Sequence, residues 1–215
     1  VGRRFGPRGK GRRARVPRGE TVEGLMKECT DPREKALEAL MGYGGLPRCE
    51  IVALDVGDVA PGLGLRRVQG KGGVETAVAL PEVAQGILAA YLATERAGAR
   101  PTDPLFVSRF KTTGGQVVET RMKAHRVWKI IKQIGARAGV PELHPHAFRH
   151  ACGVELLRRS GGNLRAVQEH LRHADIQTTT VYARLTQSDL QKVISEFDKN
   201  NGGGNRDSRP TPHGT

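Results

Sequence analysis

Aromatic residues are scarce: five Phe, one Trp and three Tyr in 215 positions. A surface that holds single strands mainly by stacking bases needs more rings than this. Cysteine is scarcer still. Cys29, Cys49 and Cys152 are odd in number and far apart, without C-x-x-C spacing or an apolar leader, which argues against a secreted disulfide framework and fits a reducing cytoplasm. No run approaches the roughly 18 uninterrupted apolar residues of a membrane span. Acidic residues are in deficit, 22 against 35 Lys and Arg, for a formal charge of +13. Such a field attracts polyanions, nucleic acid foremost, and with few rings available phosphates and shape must carry the recognition of a nucleic acid.

The charge is unevenly placed. Residues 1–20 hold Arg3, Arg4, Arg8, Lys10, Arg12, Arg13, Arg15 and Arg18 against Glu20 alone, a net +7 of the +13. Residues 1–19 are Arg, Gly and Pro with almost nothing apolar, so they read as a phosphate-tracking arm or a solubilising linker that cannot bury enough surface to offset its ordering entropy. The tail 199–215 reads as disordered on the same ground. One domain, 20–198, remains, long enough for a sizeable core and without an internal repeat.

Helix signals dominate that domain. ETVEGLMKEC opens it; then Asp31-Pro32-Arg33-Glu34 supplies a cap, a first-turn proline and a capping-box glutamate ahead of Leu37, Leu40, Met41 and Tyr43. Gly44-Gly45 ends that helix, and Pro47 opens a short one through Glu50 and Leu54. Leu65–Gln69 and Val74–Leu80 around Gly70-Lys71-Gly72-Gly73 spell a β-hairpin with Lys71 at its tip. A helix follows from Pro81 through Tyr91 to about Ala97, then a brief extended piece at Leu105–Val107. Helical periodicity returns from Arg121 to about Ala138, with Val127, Ile130, Ile131 and Ile134 as core and Trp128 grouped with them. Four short helices close the chain: 146–159, 164–171, 176–183 and 188–197. The expected fold class is α+β, mainly α-helical with a small antiparallel β-sheet. The apolar residues Leu190, Val193, Ile194 and Phe197 either finish the core or pack onto a neighbour.

Chemistry concentrates near the C-terminus, in His144-Pro145-His146-Ala147-Phe148-Arg149-His150, His170-Leu171-Arg172-His173 and Thr178-Thr179-Thr180-Val181-Tyr182. Arginine grips phosphate oxygens, imidazole donates hydrogen bonds and a phenol supplies an oxygen nucleophile, so the set suits phosphoryl transfer. The H-x-H and H-x-x-H spacings lack a cysteine or carboxylate partner, so no metal is expected, and no P-loop accompanies the hairpin glycines, so no nucleotide is either. Tyr43 and Tyr91 sit on apolar helical faces and read as core, and His150 reads as packing behind the site.

The run HAFRHACGVELLRRSGGNLRAVQEHLRHADIQTTTVYARL resembles the C-terminal signature of the tyrosine recombinases, the phage integrase family. That signature is H-x-x-R-H, a leucine-glycine-histidine turn, and a tyrosine nine residues after that histidine. His146 and Arg149 fill the first pair, His173 the turn, and Tyr182 the tyrosine place. VQGKGGVETAVAL resembles the family's hairpin with its catalytic lysine at Lys71, and DPREKALEALMGYGGLPRCEIVALDVGDV resembles its first box. The resemblance spans residues 20–198 and implies the integrase catalytic-domain fold. It also implies double-stranded DNA as partner and a 3′-phosphotyrosyl intermediate made without metal or ATP. Tyr182 would be the nucleophile, Arg149, His146 and His173 would serve the phosphate, and Lys71 would protonate the leaving oxygen. A monomer free, a tetramer on synapsed DNA, and a cytoplasmic, nucleoid-associated setting are the matching expectations.

Two departures stand out. Where the family box reads glycine, leucine, arginine, any residue, serine, glutamate, this chain has Gly45, Leu46, Pro47, Arg48, Cys49, Glu50. Arg48 is one residue late, which on a helix is about 100° of rotation and about 1.5 Å of rise. Either its guanidinium still reaches the phosphate, or the chain is a catalytically impaired DNA-binding relative; a type IB topoisomerase is a third reading. The other departure is Arg172 where the family turn has glycine. Family members usually add an N-terminal helical domain that closes a clamp on DNA. These residues have no room for one, so the sequence reads either as an excised catalytic domain or as a minimal recombinase whose arm shares the clamping.

Overall fold

The computed structural model describes residues 22–62, 64–70 and 73–172. The basic arm, Lys71, His173, Tyr182, the helices expected at 176–183 and 188–197 and the tail lie outside the described residues.

The central element is α2 (Pro32–Gly42), packed against α4 (Glu82–Glu95), α6 (Pro145–Arg159) and the short α1 (Val22–Met26). Its start is set locally: the Asp31 carboxylate accepts the Glu34 amide at 2.8 Å, and Pro32 occupies the first helical position. The glutamate half of the expected capping box lands one residue further back, where Glu34 accepts the Thr30 amide at 2.8 Å and hydroxyl at 3.1 Å. Leu37, Leu40 and Met41 are fully buried. Gly45, at φ +60°, turns the chain toward α3 (Arg48–Ala53), with Pro47 as N-cap. The Pro47 carbonyl accepts the amides of Glu50 and Ile51. Proline thus stands just outside the first helical position, where its missing N–H leaves no bond unmade.

After a single 3₁₀ turn at Val56–Asp58, β1 (Val59–Ala60), β2 (Gly64–Gln69) and β3 (Glu75–Ala79) form an antiparallel sheet in the order β1-β2-β3. The register slips by one between Leu65 and Val68: Leu65 faces Val78, whereas Val68 faces Thr76. One extra residue on β2 makes this a β-bulge at Arg66-Arg67.

A second, two-stranded sheet replaces the brief extended piece expected at Leu105–Val107: β4 (Val107–Lys111) pairs with β5 (Val117–Arg121). Arg121 therefore ends a strand, and α5 (Ala124–Arg137) begins three residues later than its periodicity suggested. The Arg121 guanidinium donates to the Val52, Ala53 and Leu54 carbonyls and to Asp55, covering the open C-terminal end of α3. On α5, Val127, Ile130, Ile131 and Ile134 are buried as expected, but Trp128 is 38% exposed. At about 100° per residue, Trp128 lies about 110° from the centre of that stripe, outside the buried arc. Tyr91 is buried, stacks on Phe106 with ring centroids 5.1 Å apart, and donates to the Leu105 carbonyl at 2.9 Å. Tyr43 is half-buried against the core at the end of α2. The last described helix, α7 (Leu164–Leu171), packs on α6.

Candidate active site

Helix α6 starts at a His-Pro pair. His144 is its N-cap, accepting the Ala147 amide on Nδ1 at 3.2 Å, and Pro145 occupies the first turn. An imidazole that accepts must be neutral on that nitrogen. Burial, then the neighbouring charges of His146 and Lys132, push its pKa below the ordinary histidine value. His150 is lowered too, by burial and then by His146.

His146 and Arg149, three apart, share one face of α6, with His146 exposed and Arg149 half-buried. The Arg149 guanidinium donates to two carbonyls, Gly45 O and Leu171 O. It thereby joins α6, the turn before α3 and the C-terminal end of α7. The same turn is pinned at Tyr43, whose carbonyl accepts from His170 Nε2 at 2.8 Å and from the Cys152 thiol at 3.4 Å. Burial pushes the Cys152 thiol up to about 12 against the pull of Arg149 and Arg172, so it packs as a neutral group.

Helix α7 ends on Arg172, at φ 52° and ψ 41°, the one non-glycine with positive φ among the described residues. That conformation costs an ordinary L-residue about 1–2 kcal/mol. Here it is held by the side chain: Nη2 donates to Glu50 Oε2 at 2.7 Å and Nη1 to the His170 carbonyl at 3.2 Å. The two charged side chains are 12% and 13% exposed, so the pair is largely withdrawn from water. Arginine in the left-handed region thus ties the end of α7 to the first turn of α3.

The structure brings Arg149, which has His146 on the same helical face, to the Gly45 carbonyl just before α3. Arg48, in contrast, is exposed on the first turn of α3, with no hydrogen bond or ion pair to the described residues. Lys71, His173 and Tyr182 are outside the described residues, as is the cationic arm. Two features escaped the sequence reading. One is the Arg172–Glu50 contact, whose only signal was an arginine where glycine was expected. The other is the outer face of α5, a helix without a single carboxylate. There His125, Arg126 and Lys129 are exposed beside Trp128, and Lys132 Nζ lies 5.9 Å from the centre of the indole ring. Among the described residues, no helix is long and apolar enough to cross a membrane.

Comparison with known proteins gives a consistent set. The sequence profile of the phage integrase family matches residues 16–214. Tyrosine recombinase XerD of Staphylococcus epidermidis is 34% identical over 169 residues, covering 77% of this chain and 54% of that protein. Tyrosine recombinase XerC of Azotobacter vinelandii is 38% identical over 168 residues, 78% of this chain and 52% of that protein. The chain thus spans about half the length of the curated relatives it matches. Among solved structures, XerA recombinase superposes with a TM-score of 0.65 at 25% identity, over 82% of this chain and 62% of that one. The integrase from mycobacterium phage Brujita gives a TM-score of 0.56 at 25% identity, over 87% and 58%.

Proposed function

The chain belongs to the phage integrase family of tyrosine recombinases, and from that premise we propose that it cuts and rejoins duplex DNA at specific sites through a 3′-phosphotyrosyl intermediate. Tyr182 is the nucleophile. Its hydroxyl gives its proton to a neighbouring imidazole, His146 or His173, as the oxygen bonds to the scissile phosphorus and the bond from phosphorus to the 5′-oxygen breaks, and Lys71 gives the leaving oxygen its proton. Arg149, His146 and His173 hold the nonbridging oxygens as charge builds on them. The phosphodiester energy stays in the new linkage, so neither metal nor nucleotide is consumed. The observation that carries the proposal is the placement of Arg149, anchored at the meeting point of α6, α7 and the turn before α3, with His146 on the same helical face.

Duplex DNA is the partner. The arm residues Arg3, Arg4, Arg8, Lys10, Arg12, Arg13, Arg15 and Arg18 and the outer face of α5 contact phosphates and set position rather than sequence. Monomers in solution, a tetramer on two synapsed duplexes, and a cytoplasmic, nucleoid-associated setting complete the proposal. A second reading, a DNA-binding relative with impaired cleavage, draws on Pro47 and the exposure of Arg48. Both are tested on a nicked suicide duplex carrying a site selected by binding. A detergent-stable covalent adduct that vanishes in Tyr182→Phe is expected. No adduct, or one that persists in the variant, refutes the first reading.

A further inference from the structure

We propose that Arg172 supplies the second guanidinium at the scissile phosphate, the one that position 47 cannot carry; this rests on the strand-transfer proposal above. Position 47 is the N-cap of α3 and Glu50 lies three residues on, so their side chains neighbour each other on one side of the first turn. Arg48, one residue on, leaves the helix about 100° around from that side and is exposed. The guanidinium of Arg172 stands on that side, held by Glu50 at 2.7 Å. Arg149 binds the carbonyl of Leu171, the residue before Arg172, and the carbonyl of Gly45, two residues before Pro47. Both cations therefore belong to one small region bounded by the turn before α3 and the end of α7.

The donor inventory agrees. A guanidinium has more N–H groups than the two bonds Arg172 makes, and its Nε–H is buried without an acceptor among the described residues. Spare N–H groups on a planar fork match the nonbridging oxygens of a phosphodiester. The left-handed backbone at Arg172 fits the same account. Glycine would occupy that conformation without strain, yet this chain places its longest cation there and orients it with a carboxylate.

Four proteins test the proposal on the nicked duplex: the wild-type chain, Arg172→Gly, Pro47→Arg, and the double variant. Arg172→Gly suits the turn's backbone, and Arg172→Asn, which also tolerates positive φ, replaces it if the glycine variant melts early. Loss of one preorganised donor is expected to slow adduct formation by about 10²–10³-fold, with duplex affinity nearly unchanged. Pro47→Arg added to Arg172→Gly restores the rate. Cleavage by Arg172→Gly at the wild-type rate overturns the proposal. So does a slow single variant that Pro47→Arg fails to rescue, since Arg172 then serves the turn and not the phosphate. Adduct from Pro47→Arg but none from wild type overturns the substitution while leaving the family chemistry in place. No adduct from any of the four overturns the proposed function itself.

Discussion

Gly45→Ala is the most informative single perturbation of the region around Arg149. Gly45 has φ +60°, so alanine there carries the left-handed cost, about 1–2 kcal/mol. Its new methyl would also stand against Cδ2 of the fully buried Leu171, well inside van der Waals contact, with Cys152 Sγ at 3.5 Å. Forcing a methyl into such a packed site costs about 1–3 kcal/mol more. The total, about 2–5 kcal/mol, is a large part of the roughly 5–15 kcal/mol that keeps a domain folded. Gly98→Ala separates the two contributions, because Gly98 sits at φ +75° with nothing within 4 Å of the added carbon. Urea unfolding followed by circular dichroism should place Gly98→Ala about 1–2 kcal/mol below wild type. Gly45→Ala should fall lower still, by the packing cost. Because the Gly45 carbonyl anchors Arg149, adduct formation should fall further than stability alone explains. If the two variants unfold within about 0.5 kcal/mol of each other, the packing of α7 onto this turn is not as described.

Arg121→Lys should loosen α3 although charge is conserved, since one ammonium cannot reach the three carbonyls and the carboxylate that the fork spans. With the Arg121 side chain 41% exposed, the loss is expected to be modest, about 0.5–1.5 kcal/mol, with faster amide exchange at Ile51; equal exchange would refute it. The His144 cap predicts a pH effect of definite sign. Its folded pKa lies below the unfolded value, so its contribution is complete above about pH 6.5 and declines as pH falls below that. His144→Asn, which caps without titrating, should flatten the fall in melting temperature between pH 7.5 and 5.5, and an unchanged slope would refute the assignment.

What the sequence disclosed, and what it hid, follows from the range of each interaction. Asp31, Pro32 and the glycines after α2 act within a few residues, so the boundaries of α2 and of the first hairpin could be read directly. The β4–β5 hairpin could not. Its strands are mostly exposed and carry no alternating apolar pattern. They are tied instead by charge: Arg109 bridges Glu95 and Glu119, and the buried Arg96 reaches Glu119 at 2.7 Å. Trp128 is a neighbour of the apolar stripe in sequence, but its angle on α5 places it outside the buried arc. At the site, the motif residues His146 and Arg149 were legible, but the partners of Arg149 lie 104 and 22 positions away and are backbone carbonyls, which no motif records. The ion pair of Arg172 with Glu50 spans 122 positions and was equally invisible.

The bulge at Arg66-Arg67 gives β2 slack in its length. Leu65 and Val68 are three residues apart, and in an unbroken strand they would point to opposite faces; the extra residue lets both be buried. Losing either arginine would leave the pairs Leu65 with Val78 and Val68 with Thr76 intact. Losing Val68 would instead carry Arg67 into its buried place. The loss of one residue is therefore absorbed at 66–67, whereas one position further along it would put an arginine in the buried place of Val68. Loop grafting on this hairpin has its tolerant point there, at some distance from the tip.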